Sequence, residues 1–185
     1  MELSTLNGNI IGVISNNYKE DDFKDLLVKD IIVNKTKESL KMVKLDETIL
    51  DKKFSDLSSN YQNKVIFASK LHDKEIVLVN FSRGLLKKEI SYFKSLFRKV
   101  VSYNRRIILI DKNAELFLNC VDRIYVINND TVKYDTIDIF DKILELYIDP
   151  PQIVEFSNRC EKMGIRLDHY MELDELLKAI YRIKA

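Results

Sequence analysis

The spacing of apolar residues along the chain switches repeatedly between a strand-like and a helix-like pattern. Residues 9–14, Asn-Ile-Ile-Gly-Val-Ile, form a short β-branched run of the kind expected for a fully buried strand. From residue 20 to 33, Phe23, Leu26, Leu27 and Ile31 fall on one side of a predicted helix. Asn17 is its expected N-cap, with Asp21 and Asp22 suited to the positive end of its dipole. A second short helix is predicted over 37–43. A third starts at Ser58 and runs to about His72, with Tyr61, Val65, Ala68 and Leu71 on its apolar side.

Residues 75–81, Glu-Ile-Val-Leu-Val-Asn-Phe, read as a strand, Gly84 as a turn and 86–104 as a long helix. Another buried strand is expected over 106–110 and a short helix over 115–120. Residues 123–128 and 131–134 make a hairpin around Asn128-Asn129-Asp130. Strands alternating with helices predict an α/β domain with a mainly parallel sheet, and right-handed crossovers would place the helices on its faces. Asp149-Pro150-Pro151 is the strongest punctuation. Beyond it, Pro151 opens a helix that Gly164 stops. A last amphipathic helix presents Leu173, Leu176, Leu177, Ile180 and Tyr181. The expected division is a sheet domain over 1–149 and a helical extension over 150–185.

Composition narrows the choice of function. The 185 residues are 46% hydrophobic, which suits one compact domain able to bury roughly 70% of its unfolded surface. With 30 basic and 29 acidic side chains the formal charge is +1, so no net field favours nucleic acid or an anionic membrane. No apolar run approaches the roughly 18 residues needed to cross a bilayer. The opening Met-Glu-Leu-Ser-Thr-Leu lacks a basic-then-apolar leader pattern, and the expectation is a cytoplasmic protein. Cys120 and Cys160 are expected to be reduced thiols, and His72 and His169 have no ligand-like spacing, so no metal site is expected.

Residues 40–89, LKMVKLDETILDKKFSDLSSNYQNKVIFASKLHDKEIVLVNFSRGLLKKE, resemble the second half of an ABC transporter ATPase, from the signature motif through the Walker B strand to the D-loop. Residues 150–182, PPQIVEFSNRCEKMGIRLDHYMELDELLKAIYR, resemble the C-terminal helices of energy-coupling-factor (ECF) type ATPases of low-GC bacteria. The likeness covers nearly the whole chain and implies a truncated P-loop NTPase-like core, a three-layer α/β sheet with a C-terminal helical extension. The short segments before residue 10 and between 23 and 57 leave no room for the family's antiparallel β-subdomain or its full helical subdomain.

The resemblance lies in spacing, and the catalytic letters differ. In the register Gly-x-x-Gly-x-Gly-Lys-Ser/Thr, the phosphate loop is Ser15, Asn16, Asn17, Tyr18, Lys19, Glu20, Asp21 and Asp22. Ser15, Tyr18 and Glu20 stand where the family has glycine, Asp21 where it has the lysine, and Asp22 where a hydroxyl holds magnesium. Three carboxylates would face a polyphosphate. The signature Leu-Ser-Gly-Gly-Gln becomes Leu57, Ser58, Ser59, Asn60 and Tyr61, keeping one serine that either caps the helix or grips a phosphate. In the Walker B strand the magnesium aspartate is Asn80 and the basic glutamate is Phe81, which accepts no proton. The D-loop is Gly84-Leu85-Leu86 and the switch histidine falls on Lys112.

No residue is therefore expected to be catalytic. The first reading is a pseudo-ATPase that scaffolds or regulates a partner ABC ATPase subunit, or a second copy of itself in a dimer, and through it transporter membrane subunits. The second is a divergent subunit lending Ser58 to a composite site, the one case in which ATP and magnesium serve as cofactors. The third reuses the fold as a binding module, with Glu20, Asp21 and Asp22 meeting a cation or basic ligand.

Overall fold

The computed structural model describes residues 2–15, 18–19, 21–33, 36–112, 114–128, 131–136, 151–168, 170 and 173–183. The expected strands form one sheet. β1 (Ile10–Ile14), β2 (Glu75–Val79), β3 (Arg106–Ile110) and β4 (Arg123–Asn128) are parallel, and β5 (Thr131–Thr136) returns antiparallel beside β4. The strand order is β2-β3-β1-β4-β5. Because β3 lies between β1 and β2, the direction of travel reverses at the centre of the sheet. In open parallel sheets, ligands sit at the carboxyl ends of the strands at such a reversal.

Side chains alternate across the sheet with period two. Ile10, Ile76, Leu78, Ile107, Leu109, Ile124 and Val126 face a large core under α3 (Ser59–Lys70) and α4 (Lys87–Val101). Ile11, Val13, Ile108, Ile110, Tyr125 and Ile127 form a second cluster with Leu3, Leu6 and Tyr18 on the opposite face. The opening segment is fastened there by Arg106, which donates to the carbonyls of Leu3 and Leu6, and by Asp122, which accepts from the backbone N–H groups of Asn9 and Ile10. Gly12 lets Phe117 lie directly on the sheet, since a Cβ there would stand 3.0 Å from the ring.

Four phenylalanines bind the first core together. Phe67 of α3 meets Phe81, Phe93 and Phe97 with ring centroids 5.7, 6.0 and 5.2 Å away, and all four rings are essentially inaccessible to water. Edge-to-face aromatic packing of this kind adds to the gain from burial alone. Cys120 is a free thiol in this core, pushed up to about 11 by burial, and Cys160 is a half-buried free thiol.

The helix expected over 20–33 does not form. Only α1 (Val28–Ile31) is helical. Before it the chain makes a turn, closed by Leu26 N–H on the Phe23 carbonyl at 3.0 Å, and then pairs with 50–55: Phe54 N–H donates to the Leu26 carbonyl at 2.9 Å, and Val28 and Lys29 donate to Lys52 and Leu50 at 3.0 Å. These long-range bonds satisfy the backbone groups that a helix would have paired locally. Phe23 stacks edge-on against Phe54 at 5.7 Å, so its apolar side chain is used without a helical period. The short helix expected at 37–43 is present as α2 (Thr36–Met42), and that expected at 115–120 shortens to a 3-10 turn, Ala114–Leu116. Pro151 caps α5 (Gln152–Lys162), Gly164 follows it with φ +82°, and α6 (Leu173–Ile183) ends the described chain. Among the described residues no helix is long and apolar enough to cross a membrane.

Because three aromatic partners depend on one ring, Phe67→Ala should lower unfolding stability by about 4 kcal/mol with an unchanged denaturant slope in urea titration.

Candidate functional site

The carboxyl ends of β1, β3 and β2 lie side by side, and the residues leaving them form the candidate site. Each strand hands its last peptide to its neighbour. Asp111 N–H donates to the Val13 carbonyl at 3.0 Å, and Asn80 N–H donates to the Ile110 carbonyl at 2.8 Å. Ser15, Asp111 and Asn80 therefore line one edge, with Lys112 exposed beside them.

Asn80 adopts the left-handed conformation with φ +51°, which asparagine tolerates better than most residues. The chain turns sharply there and carries Phe81 away from the edge and into the aromatic cluster. Phe81 is 1% exposed, with Phe93 at 5.0 Å and Phe97 at 5.6 Å. The Phe81 ring thus points into the core and away from the carboxyl edge. The turn is held by Asn63 of α3, whose Nδ2 donates to the carbonyls of Phe81 at 3.0 Å and Arg83 at 2.9 Å.

Asp111 is a carboxylate that motif register does not single out. It is 5% exposed, and its Oδ2 accepts from Ser82 Oγ at 2.6 Å and Ser82 N–H at 3.2 Å. Its only sequence signal is its place, directly after an apolar strand. In the structure it braces the turn after β2 against the end of β3.

The segment in the place of a phosphate loop takes a different course. Asn16, Asn17 and Glu20 lie outside the described residues. Tyr18 packs on the second face of the sheet with Val77 and Val79. Asp21, where the family lysine would stand, accepts an ion pair from Lys70 Nζ at 2.5 Å, and the same amine donates to the Val77 carbonyl at 3.0 Å. Lys19 and Asp22 are exposed. The chain after β1 therefore heads for the β2 edge of the sheet. The described residues following it, 21–27, contain no helix whose N-terminus could face the end of β1.

The signature-like residues sit beside the turn after β2. Leu57 is half-buried, and Ser58 occupies the N-cap position of α3 with φ −63° and ψ 155°, yet its hydroxyl makes no capping bond. Ser58 is thus the cap by position alone. Ser59 and Asn60 pack against Gly84, where a Cβ would meet the Asn60 nitrogen at 3.2 Å and where φ is +78°. Asn60 turns inward and donates to Glu89 at 2.8 Å, while Tyr61 is exposed. Glu89 also accepts from Lys64 at 2.7 Å and from Leu86 N–H at 3.0 Å. Burial pushes the Glu89 carboxyl up, but the bond and charge of Lys64, with the Leu86 and Asn60 bonds, outweigh it and hold the group below its ordinary 4.5.

A glutamate held low in the folded state contributes stability above its unfolded value and loses it as the pH falls through the folded value. The stability gap between the native chain and Glu89→Gln should thus be steady from neutral pH to about 5 and shrink as the pH falls past 4.5. Urea denaturation across that range measures it.

Among the described residues no group of three or more His, Cys, Asp or Glu side chains is placed to hold a metal ion. The described residues of the edge offer hydroxyls, amides and a braced carboxylate.

No protein-family model and no curated protein matches the chain. Its fold does match solved structures. One structure of MJ1267, an ATP-binding cassette of an ABC transporter, aligns with TM-score 0.56 and 17% identity over 76% of this chain and 69% of that one. The ADP conformation of the same cassette aligns with TM-score 0.54 and 16% identity over 75% and 68%. A nucleotide-free ATP-binding cassette from an ABC transporter gives TM-score 0.51 at 16% identity over 76% and 69%. At these identities the likeness is one of fold alone: the parallel sheet and its covering helices follow the α/β arrangement of those cassettes.

Proposed function

We propose that the chain is a pseudo-ATPase: an ABC ATPase-like subunit that scaffolds or regulates a partner ATPase and hydrolyses nothing itself. The observation that carries this reading is Phe81, packed among Phe67, Phe93 and Phe97 where the cassette register calls for the general base. The course of Asp21 toward Lys70, in place of a lysine over a phosphate, supports it. On this reading the partner is another ABC ATPase subunit or a second copy, in a transporter of the ECF type. The chain would then act at the cytoplasmic face of a membrane through that partner, with no bound cofactor of its own.

A second reading has one observation in its favour. The Ser58 hydroxyl is exposed and makes no bond to its own helix, which leaves it able to reach a nucleotide held by a partner's intact phosphate loop. ATP-dependent assembly that fails in Ser58→Ala would single it out. The acidic-loop binding module has less support, because Asp21 is already engaged by Lys70.

Restoring the catalytic letters tests the first reading. Asn80→Asp combined with Phe81→Glu should give no magnesium-ATP turnover. Burying the new carboxylate among three rings should cost about 4 kcal/mol of stability. Magnesium-ATP turnover by the native chain, measured beside this variant, would overturn the proposal.

A further inference from the structure

The outer side of α4 forms the floor of a groove of about 610 Å³ that α5 and α6 wall in. None of its lining residues belongs to the carboxyl edge described above. Ile90, Leu118, Ile153, Phe156 and Leu177 give it an apolar surface, with Phe156 and Leu177 still 44% and 42% exposed. The hydroxyls on its floor make no demand on a ligand, because Ser91 bonds back to the Lys87 carbonyl and Ser95 to that of Ser91.

Its described lining carries three cations, Lys87, Lys94 and Arg98, against one carboxylate; Lys94, in the middle, donates to the Glu115 and Leu118 carbonyls at 3.2 and 2.6 Å. Lys87 lies at one end and Arg98 at the other, eleven residues later on the same helix and about 16 Å away along its axis. Lys87 donates to the neutral amide of Gln152 at 3.3 Å and Arg98 to the Asn119 carbonyl, so among the described residues neither faces a carboxylate. Glu115 is the one carboxylate in the described lining, and it accepts from the Gln152 backbone N–H at 3.3 Å.

We propose that this groove receives an acidic amphipathic helix of a partner protein. Lys87 and Arg98, three helical turns apart with Ile90 and the carbonyl-bonded Lys94 between them, complement carboxylates at i and i+11 with apolar residues between them on the same face. A single-headed anionic amphiphile would engage one cation and leave the other unused. Such a helix would be one means of holding the partner proposed above. Its binding is independent of nucleotide, so the docking can fail while the chain remains inert toward ATP.

The probe is a fluorescein-labelled helical peptide of about 18 residues, with glutamates at i and i+11 bracketing leucines at i+4 and i+7. Its anisotropy is followed with the full chain. The acidic peptide should bind, and Lys87→Glu and Arg98→Glu should each weaken it by roughly tenfold. The double reversal should instead prefer a peptide with lysines in place of the glutamates. Equal binding of acidic and basic peptides to the native chain would overturn the proposal, as would indifference to both reversals or no binding at millimolar peptide. Sedimentation gives a third way to fail: if the chain self-associates and Leu177→Glu makes it monomeric, the groove's occupant is a second copy.

Discussion

The packing of Phe67, Phe81, Phe93 and Phe97 is the constraint on which the rest of the chain depends. It joins α3, the turn after β2 and α4 in one apolar contact. Placing Phe81 there requires the chain to reverse immediately after the strand, which Asn80 accomplishes in the left-handed region. The reversal exposes carbonyls on the inner side of the turn, and Asn63 satisfies those of Phe81 and Arg83. Asp111 holds the outer side through Ser82. The same turn brings Gly84 against the start of α3, where a larger residue would press on the Asn60 backbone.

This arrangement connects stability to function. In the register proposed above, the positions that would face a nucleotide are engaged within the chain itself. Phe81 contributes core packing, Asp21 an ion pair with Lys70, and Asn60 a bond to Glu89 within a cluster that also takes in Lys64. A side chain so engaged would have to give up its partner before it could act on a ligand. The fold and the chemistry of the site are thus separable, as fold likeness alone would suggest. Among the described residues, the groove between α4, α5 and α6 keeps Phe156 and Leu177 open to solvent.

Much of this architecture was legible in sequence. The runs 10–14, 75–79, 106–110 and 123–128 are apolar because both faces of the sheet are covered, and that pattern identifies a buried strand without alignment. Gly164 and Pro151 marked the limits of α5 through their own backbone preferences. The segment 20–33 misled because Phe23, Leu27 and Ile31 have helical spacing, while the partners that decide its conformation lie at 50–55. The register reading put a neutral amide at Asn80 and a ring at Phe81. It could not show that Phe81 leaves the edge altogether, since the strand was expected to run through it. Asp111 was missed for the opposite reason, being a burial effect with no motif.

Titration calorimetry of the native chain with magnesium-ATP tests the central claim most directly. Residues of the phosphate-loop register that turn to the β2 edge and an end of β2 that turns inward predict no heat of binding up to millimolar nucleotide. Saturable binding in the micromolar range would contradict the account, because it would require a phosphate grip that the described residues after β1 do not supply.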